Sequence, residues 1–125
     1  MGTFSWPLQI SGMDRKQAVQ VEATVDPGAA YTTLPARLLR DVGVTPIGTR
    51  RFLLADGRQA DMEIGRAWVT IDGQSEVTLV AFGGEGTPAL LGAYTLEGLG
   101  LAADPTSQRL VPTHLIMYGL GPVRA

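Results

Sequence analysis

The residues best placed to do chemistry lie in the stretch Asp26-Pro27-Gly28-Ala29, which follows a run of alternating apolar residues that ends at Val25. An acidic residue directly after a strand, followed by glycine and a small residue, predicts a carboxylate in a tight loop whose backbone amides point at it. Such a carboxylate is placed for functional use. The same pattern is also typical of a surface turn, because aspartate and glycine are ordinary turn residues. Taken alone, the stretch leaves both interpretations of Asp26 open.

The composition excludes most other catalytic chemistries. The sequence has no cysteine, which removes thiol nucleophiles, disulfides and thiolate metal sites. The single histidine, His114, excludes a zinc site built on several histidines within one chain. The sequence also lacks the G-x-S-x-G motif of serine hydrolases, and its glycine-rich segment 83–86 lacks the lysine of a phosphate-binding loop. Carboxylates are therefore the main credible catalytic groups.

Charge and hydropathy limit the partners. Ten Lys and Arg against twelve Asp and Glu give a formal net charge of −2, so the composition provides no basic surface for nucleic acid. No apolar run approaches the roughly 18 residues that a membrane span needs, and the amino end does not resemble a secretion signal. We therefore predict a cytoplasmic protein that binds neither nucleic acid nor membranes.

A second motif, Leu90-Leu91-Gly92, precedes a short helical stretch in the second half of the chain. Together with the Asp26 stretch it resembles the retropepsin-like aspartic proteases, the single-domain relatives of pepsin found in retroviruses and bacteria. In that family an apolar pair precedes D-[ST]-G-[AS], and a later apolar pair and glycine precede a helix. The resemblance covers residues 4–112 and depends on the order and spacing of the motifs, since each motif alone is weak.

The resemblance assigns roles to three segments. Asp26 matches the catalytic aspartate, and Pro27-Gly28-Ala29 matches the rest of the active-site loop. Leu90-Leu91-Gly92 matches the strand that packs behind the site. The turn Ala55-Asp56-Gly57-Arg58 falls where the family has its flap, a β-hairpin that closes over the substrate. A plain connection is the alternative interpretation of this turn, because D-G pairs are common in hairpins.

The chemistry of this class requires two carboxylates that share one proton. The ionised carboxylate takes a proton from water, and the protonated one donates to the carbonyl oxygen of the peptide. This chain has one such loop, so a second Asp26 must come from another copy, which predicts a twofold homodimer. The predicted function is that of an aspartic endopeptidase that acts on peptides or proteins, with water as the nucleophile and no metal or organic cofactor.

Pro27 departs from the family pattern, which has threonine or serine at this position. In the family that hydroxyl forms hydrogen bonds across the dimer axis, whereas proline has neither a hydroxyl nor a backbone N–H. The departure predicts a less rigid pair of carboxylates and low activity. Two alternatives remain: a dimerisation or peptide-binding domain of the same fold with weak or no activity, and a monomer in which Asp26 is an exposed turn residue.

The elements that position these residues are predicted to be short strands, because sixteen glycines and eight prolines separate short apolar stretches. The fold class is all-β, a retropepsin-like barrel with one or two short helices. Strands are predicted at 4–10, 18–25, 51–55, 59–71, 77–82, 89–92, 101–103 and 109–111, and helices at 35–42 and 93–99.

The length of 125 residues predicts one domain with its own core. We assign residues 1–112 to the protease domain and residues 113–125 to a C-terminal tail. The apolar residues of this tail lead us to expect it at the dimer interface.

Overall fold

Strands separated by turns make up most of residues 3–114, the range that the computed structural model describes. The helices are α1 (Ala36–Asp41) and α2 (Ala93–Leu99). The strands are β1 (Ser5–Ser11), β2 (Ala18–Val25), β3 (Thr32–Pro35), β4 (Pro46–Leu53), β5 (Gln59–Ile71), β6 (Gln74–Gly83), β7 (Leu90–Leu91), β8 (Leu101–Asp104) and β9 (Arg109–Pro112).

Six strands close a barrel in the order β1-β2-β7-β3-β6-β5, and a pairing between β1 and β5 completes the ring. The thirteen-residue strand β5 has two roles. Its second half pairs with β6 and β1 in the barrel, whereas its first half pairs with β4. The β4–β5 pair, which we call the 46–65 hairpin, therefore extends from the barrel. Strands β8 and β9 form a separate antiparallel hairpin.

The barrel forms because its strands alternate apolar and polar residues. In β2 the side chains of Val19, Val21, Ala23 and Val25 are less exposed than those of their neighbours in sequence, as the alternation predicts. Burial of one face of each strand removes apolar surface from water, which is the main driving force for folding. The resulting core includes Leu8, Ile10, Leu34, Leu39, Val69, Ile71, Val80 and Leu91.

The predicted helix at 35–42 is shorter in the structure, and a strand precedes it. Pro35 has an extended backbone, with ψ of 136°, and it pairs in register with Gly83 as the last residue of β3. Sequence reasoning missed β3 altogether because it has four residues and its partners, β6 and β7, are far along the chain. The helix itself begins at Ala36.

Two further strands begin earlier than the sequence predicts. Strand β4 begins at Pro46 and not at Arg51, and a register shift between Pro46 and Gly48 accommodates the proline and glycine that read as strand breakers. Strand β6 begins at Gln74 and not at Val77, because the tight turn at residues 72–73 pairs Gln74 with Ile71 immediately.

The predicted domain boundary lies at the end of the last described strand, since β9 ends at Pro112. Thr113 and His114 follow it and are exposed. The remainder of the predicted tail, 115–125, lies outside the described residues. Within residues 3–114 no helix has the length and apolar character required to span a membrane.

Candidate active site

Asp26 lies where the pairing of β2 with β7 ends. Thr24 and Val25 pair in parallel with Leu90 and Leu91, and the Asp26 backbone N–H donates to the Leu91 carbonyl oxygen over 2.9 Å. Because the sheet pairing extends to Asp26 itself, the Cα of this residue is held by the barrel. The segment that follows, residues 26–31, leaves the sheet and is called the Asp26 loop below.

Within the Asp26 loop the carboxylate accepts a backbone hydrogen bond. The Gly28 N–H donates to Asp26 Oδ1 over 3.1 Å, and the Ala29 N–H donates to the Asp26 carbonyl oxygen over 3.0 Å. The Asp26 side chain is half-buried, whereas Pro27 is exposed. The loop therefore turns tightly around a carboxylate that remains accessible, as the sequence predicts for a carboxylate at a strand end.

The second half of the Asp26 loop caps the first turn of α2. The backbone N–H groups of Ala93 and Tyr94 donate to the carbonyl oxygens of Ala29 and Ala30, over 2.8 and 3.0 Å. The Gly92 N–H donates to Thr32 Oγ1 over 3.1 Å. The first amides of a helix lack partners within the helix, and here the loop supplies those partners. The helix and the loop thus satisfy each other's backbone groups.

Gly92 is required by the close approach of these two segments. A Cβ atom at this position would lie 2.5 Å from the Tyr31 carbonyl carbon, 2.6 Å from its oxygen and 2.8 Å from the Thr32 nitrogen. The backbone conformation of Gly92, φ −100° and ψ 175°, is open to any residue. Glycine is therefore needed here because it has no side chain, and not because of its backbone conformation. The lack of a Cβ atom lets the loop pack on the helix.

A cleft of about 470 Å³ lies between the Asp26 loop and the 46–65 hairpin. Asp26, Gly28 and Ala29 line one side, and hairpin residues 52–55 line the other. Among the cleft residues within the described range, Asp26 has the only charged side chain. The cleft thus combines one carboxylate with mostly apolar walls, a composition typical of ligand-binding clefts.

The tip of the 46–65 hairpin is held by bonds within the hairpin. The Leu54 N–H donates to the Arg58 carbonyl oxygen over 2.7 Å, and the Gly57 N–H donates to the Leu54 carbonyl oxygen over 2.9 Å. Gly57 has φ of +89°, which favours glycine. The Arg58 backbone N–H, and after it the Arg58 guanidinium, lowers the pKa of the exposed Asp56 carboxyl below its ordinary value. These residues form the tight turn that the sequence predicts.

Two aromatic side chains that sequence reasoning did not select connect the loop and the hairpin. Tyr31, the last residue of the Asp26 loop, meets Phe52 of β4 edge to face, with ring centroids 5.5 Å apart. Tyr94 of α2 also meets Tyr31 edge to face, with ring centroids 5.6 Å apart. Tyr31 and Phe52 both line the cleft. No sequence pattern identified this pair, because the two residues lie in different elements.

The predicted site residues occupy three positions relative to the cleft. Asp26, Gly28 and Ala29 line it, as do Ala55 and Leu90. Leu91 and Gly92 are buried behind the loop, where the resemblance implies a supporting strand. Pro27 and the turn residues Asp56-Gly57-Arg58 are exposed and are not among the residues that line the cleft.

Comparison with solved structures identifies proteins of the same architecture. The solution structure of the simian foamy virus (mac) protease is similar, with a TM-score of 0.50 and 20% sequence identity. The similarity covers 72% of this chain and 90% of the viral protein's chain. The crystal structure of a Legionella pneumophila protein of unknown function (DUF785) is similar as well, with a TM-score of 0.51 and 14% identity. This similarity covers 90% of this chain and 97% of the Legionella protein's chain. No protein-family model and no curated protein matches the sequence.

These likenesses define the fold class of the chain. It is all-β, with the fold of a retroviral protease and two short helices, as the sequence predicts. The structural similarity shows the fold, and because the sequence identities are only 20% and 14%, the activity must be argued from the site itself.

Proposed function

We propose that this chain is an aspartic endopeptidase that acts as a homodimer, with one Asp26 from each subunit at the catalytic centre. One observation carries the proposal. In a barrel with the fold of a retroviral protease, Asp26 is the one charged side chain among the described residues that line the cleft beneath a β-hairpin. A single carboxylate at this place is half of the acid–base pair that peptide hydrolysis by this class requires.

The reaction follows from a carboxylate pair that holds one proton. The ionised Asp26 takes a proton from a water molecule, whose oxygen forms a bond to the peptide carbonyl carbon. The protonated Asp26 of the other subunit donates its proton to the carbonyl oxygen. Proton transfer to the peptide nitrogen then breaks the C–N bond and releases a carboxylic acid and an amine. The Gly28 amide on Asp26 Oδ1 orients each carboxylate during these steps.

The substrate of this reaction is an extended peptide or protein segment. A peptide in the cleft is placed to pair its backbone with the strands of the 46–65 hairpin, which is the usual way in which sheets bind extended chains. The apolar walls of the cleft favour apolar side chains next to the scissile bond. Under this proposal the hairpin acts as the flap.

The test compares two aspartates in similar turns. Asp26→Asn keeps the shape of the side chain and removes its acid–base function, so we expect peptidase activity to fall by about 10²- to 10⁴-fold. Asp14→Asn is the matched control, because Asp14 Oδ1 also accepts the N–H two residues ahead, over 3.0 Å, but Asp14 lies outside the cleft. We expect the control to keep full activity. Unchanged activity in Asp26→Asn contradicts the catalytic assignment.

Sedimentation and inhibition complete the test. We expect a dimer at the concentrations used for the assay, and a chain that stays monomeric at high concentration excludes a shared pair of aspartates. Inhibition by a statine-type transition-state mimic is expected of the enzyme, since such mimics bind more tightly than substrate.

The second candidate function is a dimerisation or peptide-binding domain that has weak or no peptidase activity. Pro27 favours it, because this residue supplies neither a hydroxyl nor an N–H next to Asp26. A dimer that binds peptides with the same affinity before and after Asp26→Asn, and that cleaves none of them, supports this candidate over the enzyme.

A further inference from the structure

Three threonine hydroxyls form a row at the end of the Asp26 loop. Thr32 begins β3, Thr95 lies in α2 and Thr78 lies in β6, and all three residues are buried. Oγ1 of Thr95 lies 2.6 Å from Oγ1 of Thr32 and 2.8 Å from Oγ1 of Thr78. A continuous chain of hydroxyls therefore joins the loop to a helix and to a barrel strand.

The hydroxyls in this row donate their hydrogen bonds in one preferred direction. Thr32 Oγ1 accepts the Gly92 N–H, so Thr32 is able to donate its own proton to Thr95. Thr95 then donates to Thr78, and Thr78 donates to the Leu79 carbonyl oxygen over 3.4 Å. The reverse direction leaves the Thr32 proton without an acceptor among the hydrogen bonds of the described residues. Because a buried hydroxyl without a partner is costly, the first direction is favoured.

We propose that Thr95 is a positioning residue for Asp26, and that the hydroxyl row holds the Asp26 loop from within each subunit in place of the cross-axis hydroxyl that Pro27 lacks. This inference rests on the proposed function. The loop adjoins the first turn of α2, where the Ala93 and Tyr94 amides donate to it, and Thr95 is the next residue on that helix. Thr95 therefore acts on Asp26 through the helix and does not touch the substrate.

The physical reason is the orientation of α2. The hydroxyl of Thr95 ties the first turn of the helix both to Thr32 and to β6. Loss of this tie lets the turn rotate, which moves the Ala93 and Tyr94 amides away from the Ala29 and Ala30 carbonyl oxygens. The loop then shifts relative to its twin across the dimer axis. Displacements of about 1 Å at a catalytic group lower rates by up to about 100-fold.

The test uses two substitutions at one position and a matched control. Thr95→Val replaces the hydroxyl with a methyl group of similar size, and Thr95→Ser keeps the hydroxyl. Thr70→Val is the control, because it breaks another pair of hydroxyls, Thr70 and Ser75, 2.7 Å apart and outside the cleft. We expect Thr95→Val to lower kcat about tenfold with KM changed by less than about twofold. Thr95→Ser and Thr70→Val should stay within about twofold of the native chain.

Amide hydrogen exchange tests the same inference without peptidase activity. We expect Thr95→Val to speed exchange of the Ala29, Ala93 and Tyr94 amides about tenfold more than exchange in the β1–β2 pair. Exchange that rises equally everywhere, or a Thr95→Ser chain that behaves like Thr95→Val, overturns the proposal. If the native chain cleaves no peptide, the proposed function fails, and the exchange result alone then decides on the positioning role.

A double substitution tests the link to Pro27. If the hydroxyl row takes the place of the cross-axis hydroxyl, Pro27→Thr should raise kcat at least about threefold more in the Thr95→Val chain than in the native chain. A gain from Pro27→Thr that is as large in the native chain as in the Thr95→Val chain overturns the proposal, because the row and the hydroxyl at position 27 then act independently. The same holds if Pro27→Thr gives no recovery in the Thr95→Val chain.

Discussion

The Asp26 loop and the tip of the 46–65 hairpin face each other across one cleft, yet they are held in different ways. The loop has bonds to β7, to the first turn of α2 and, through Thr32, to the hydroxyl row. The hairpin tip, residues 53–58, has hydrogen bonds within itself, and Leu53 at its start is 73% exposed. The aromatic contact between Tyr31 and Phe52 joins the loop to β4 one residue before the tip.

Under the proposed function, this difference matches two separate requirements of a peptide-cleaving site. A group that transfers protons must be held in place before the substrate arrives, because preorganisation lowers the barrier of the chemical step. A hairpin that covers the substrate must instead open, and an element with few bonds to the rest of the protein opens at low cost. One wall of the cleft is bonded to three other parts of the fold, whereas the tip of the other wall is bonded mainly within itself.

The largest effect is expected from Gly92→Ala, which disrupts the packing of the Asp26 loop on α2. The new methyl group would meet the backbone of Tyr31 and Thr32, which cannot move without breaking the loop–helix bonds. We expect the free energy of unfolding to fall by about 3 kcal/mol and peptidase activity to be lost. Urea denaturation followed by fluorescence measures the change in stability.

Gly98→Ala is the control for this prediction. Gly98 lies in the same helix, and a Cβ atom there would meet Glu76 Cγ at an ordinary 3.6 Å. Because alanine stabilises a helix more than glycine does, we expect Gly98→Ala to raise the free energy of unfolding by about 0.5–1 kcal/mol. Equal effects of the two substitutions would show that the close approach at Gly92 does not matter.

A smaller effect is expected from Phe52→Ala, which cuts the contact between the two walls. Aromatic pairs of this geometry contribute about 0.5–1.5 kcal/mol, so the hairpin should open more readily and KM for a peptide should rise roughly three- to tenfold with little change in kcat. Tyr94→Ala is the control, since it removes the other edge contact of Tyr31 and leaves the hairpin untouched. The prediction is wrong if both variants raise KM alike.

The smallest effect concerns pH at the hairpin tip. The Arg58 amide and guanidinium lower the pKa of Asp56, so this carboxylate stabilises its turn above the unfolded-state pKa of about 3.9. The stabilisation is lost as the pH falls through the folded-state value. We expect the Arg58 amide resonance to titrate below about pH 4, while the Ala93 amide, which donates to a carbonyl oxygen, keeps its protection. Asp56→Asn should abolish the titration, and an unchanged titration in that variant contradicts the assignment.

Several elements were predictable because their patterns are local. Alternation defines β2, the D-G turns at 56–57 and 72–73 delimit β5, and a closing glycine at 100 ends α2, so these three elements have the predicted bounds. Gly100 adopts the left-handed conformation, φ +66°, which is common directly after a helix. By contrast, Pro35 favours a helix start by residue type but lies in β3, because pairing with β6 prevailed over local preference.

The candidate site divides in the same way. The motifs predicted Asp26 at a strand end, the tight turn at 55–58 and the strand at Leu90-Leu91, because each is a short stretch with its own chemistry or turn preference; Gly92, which was predicted within that strand, lies instead at the start of α2. Tyr31 and Phe52 were missed, as was the row of threonine hydroxyls, because each depends on contacts between residues that are distant along the chain.

Composition and residue order are enough to predict that the chain folds mostly as strands and that its candidate catalytic group is a carboxylate, since alternation, turn residues and the lack of cysteine can all be read from them. How that carboxylate is held depends on contacts between segments that are distant along the chain. Helix α2 satisfies its first amides with the loop, Gly92 permits the close approach, and buried hydroxyls complete the contact. Those hydrogen bonds join segments about 60 residues apart, so only the closed barrel brings them within reach of one another.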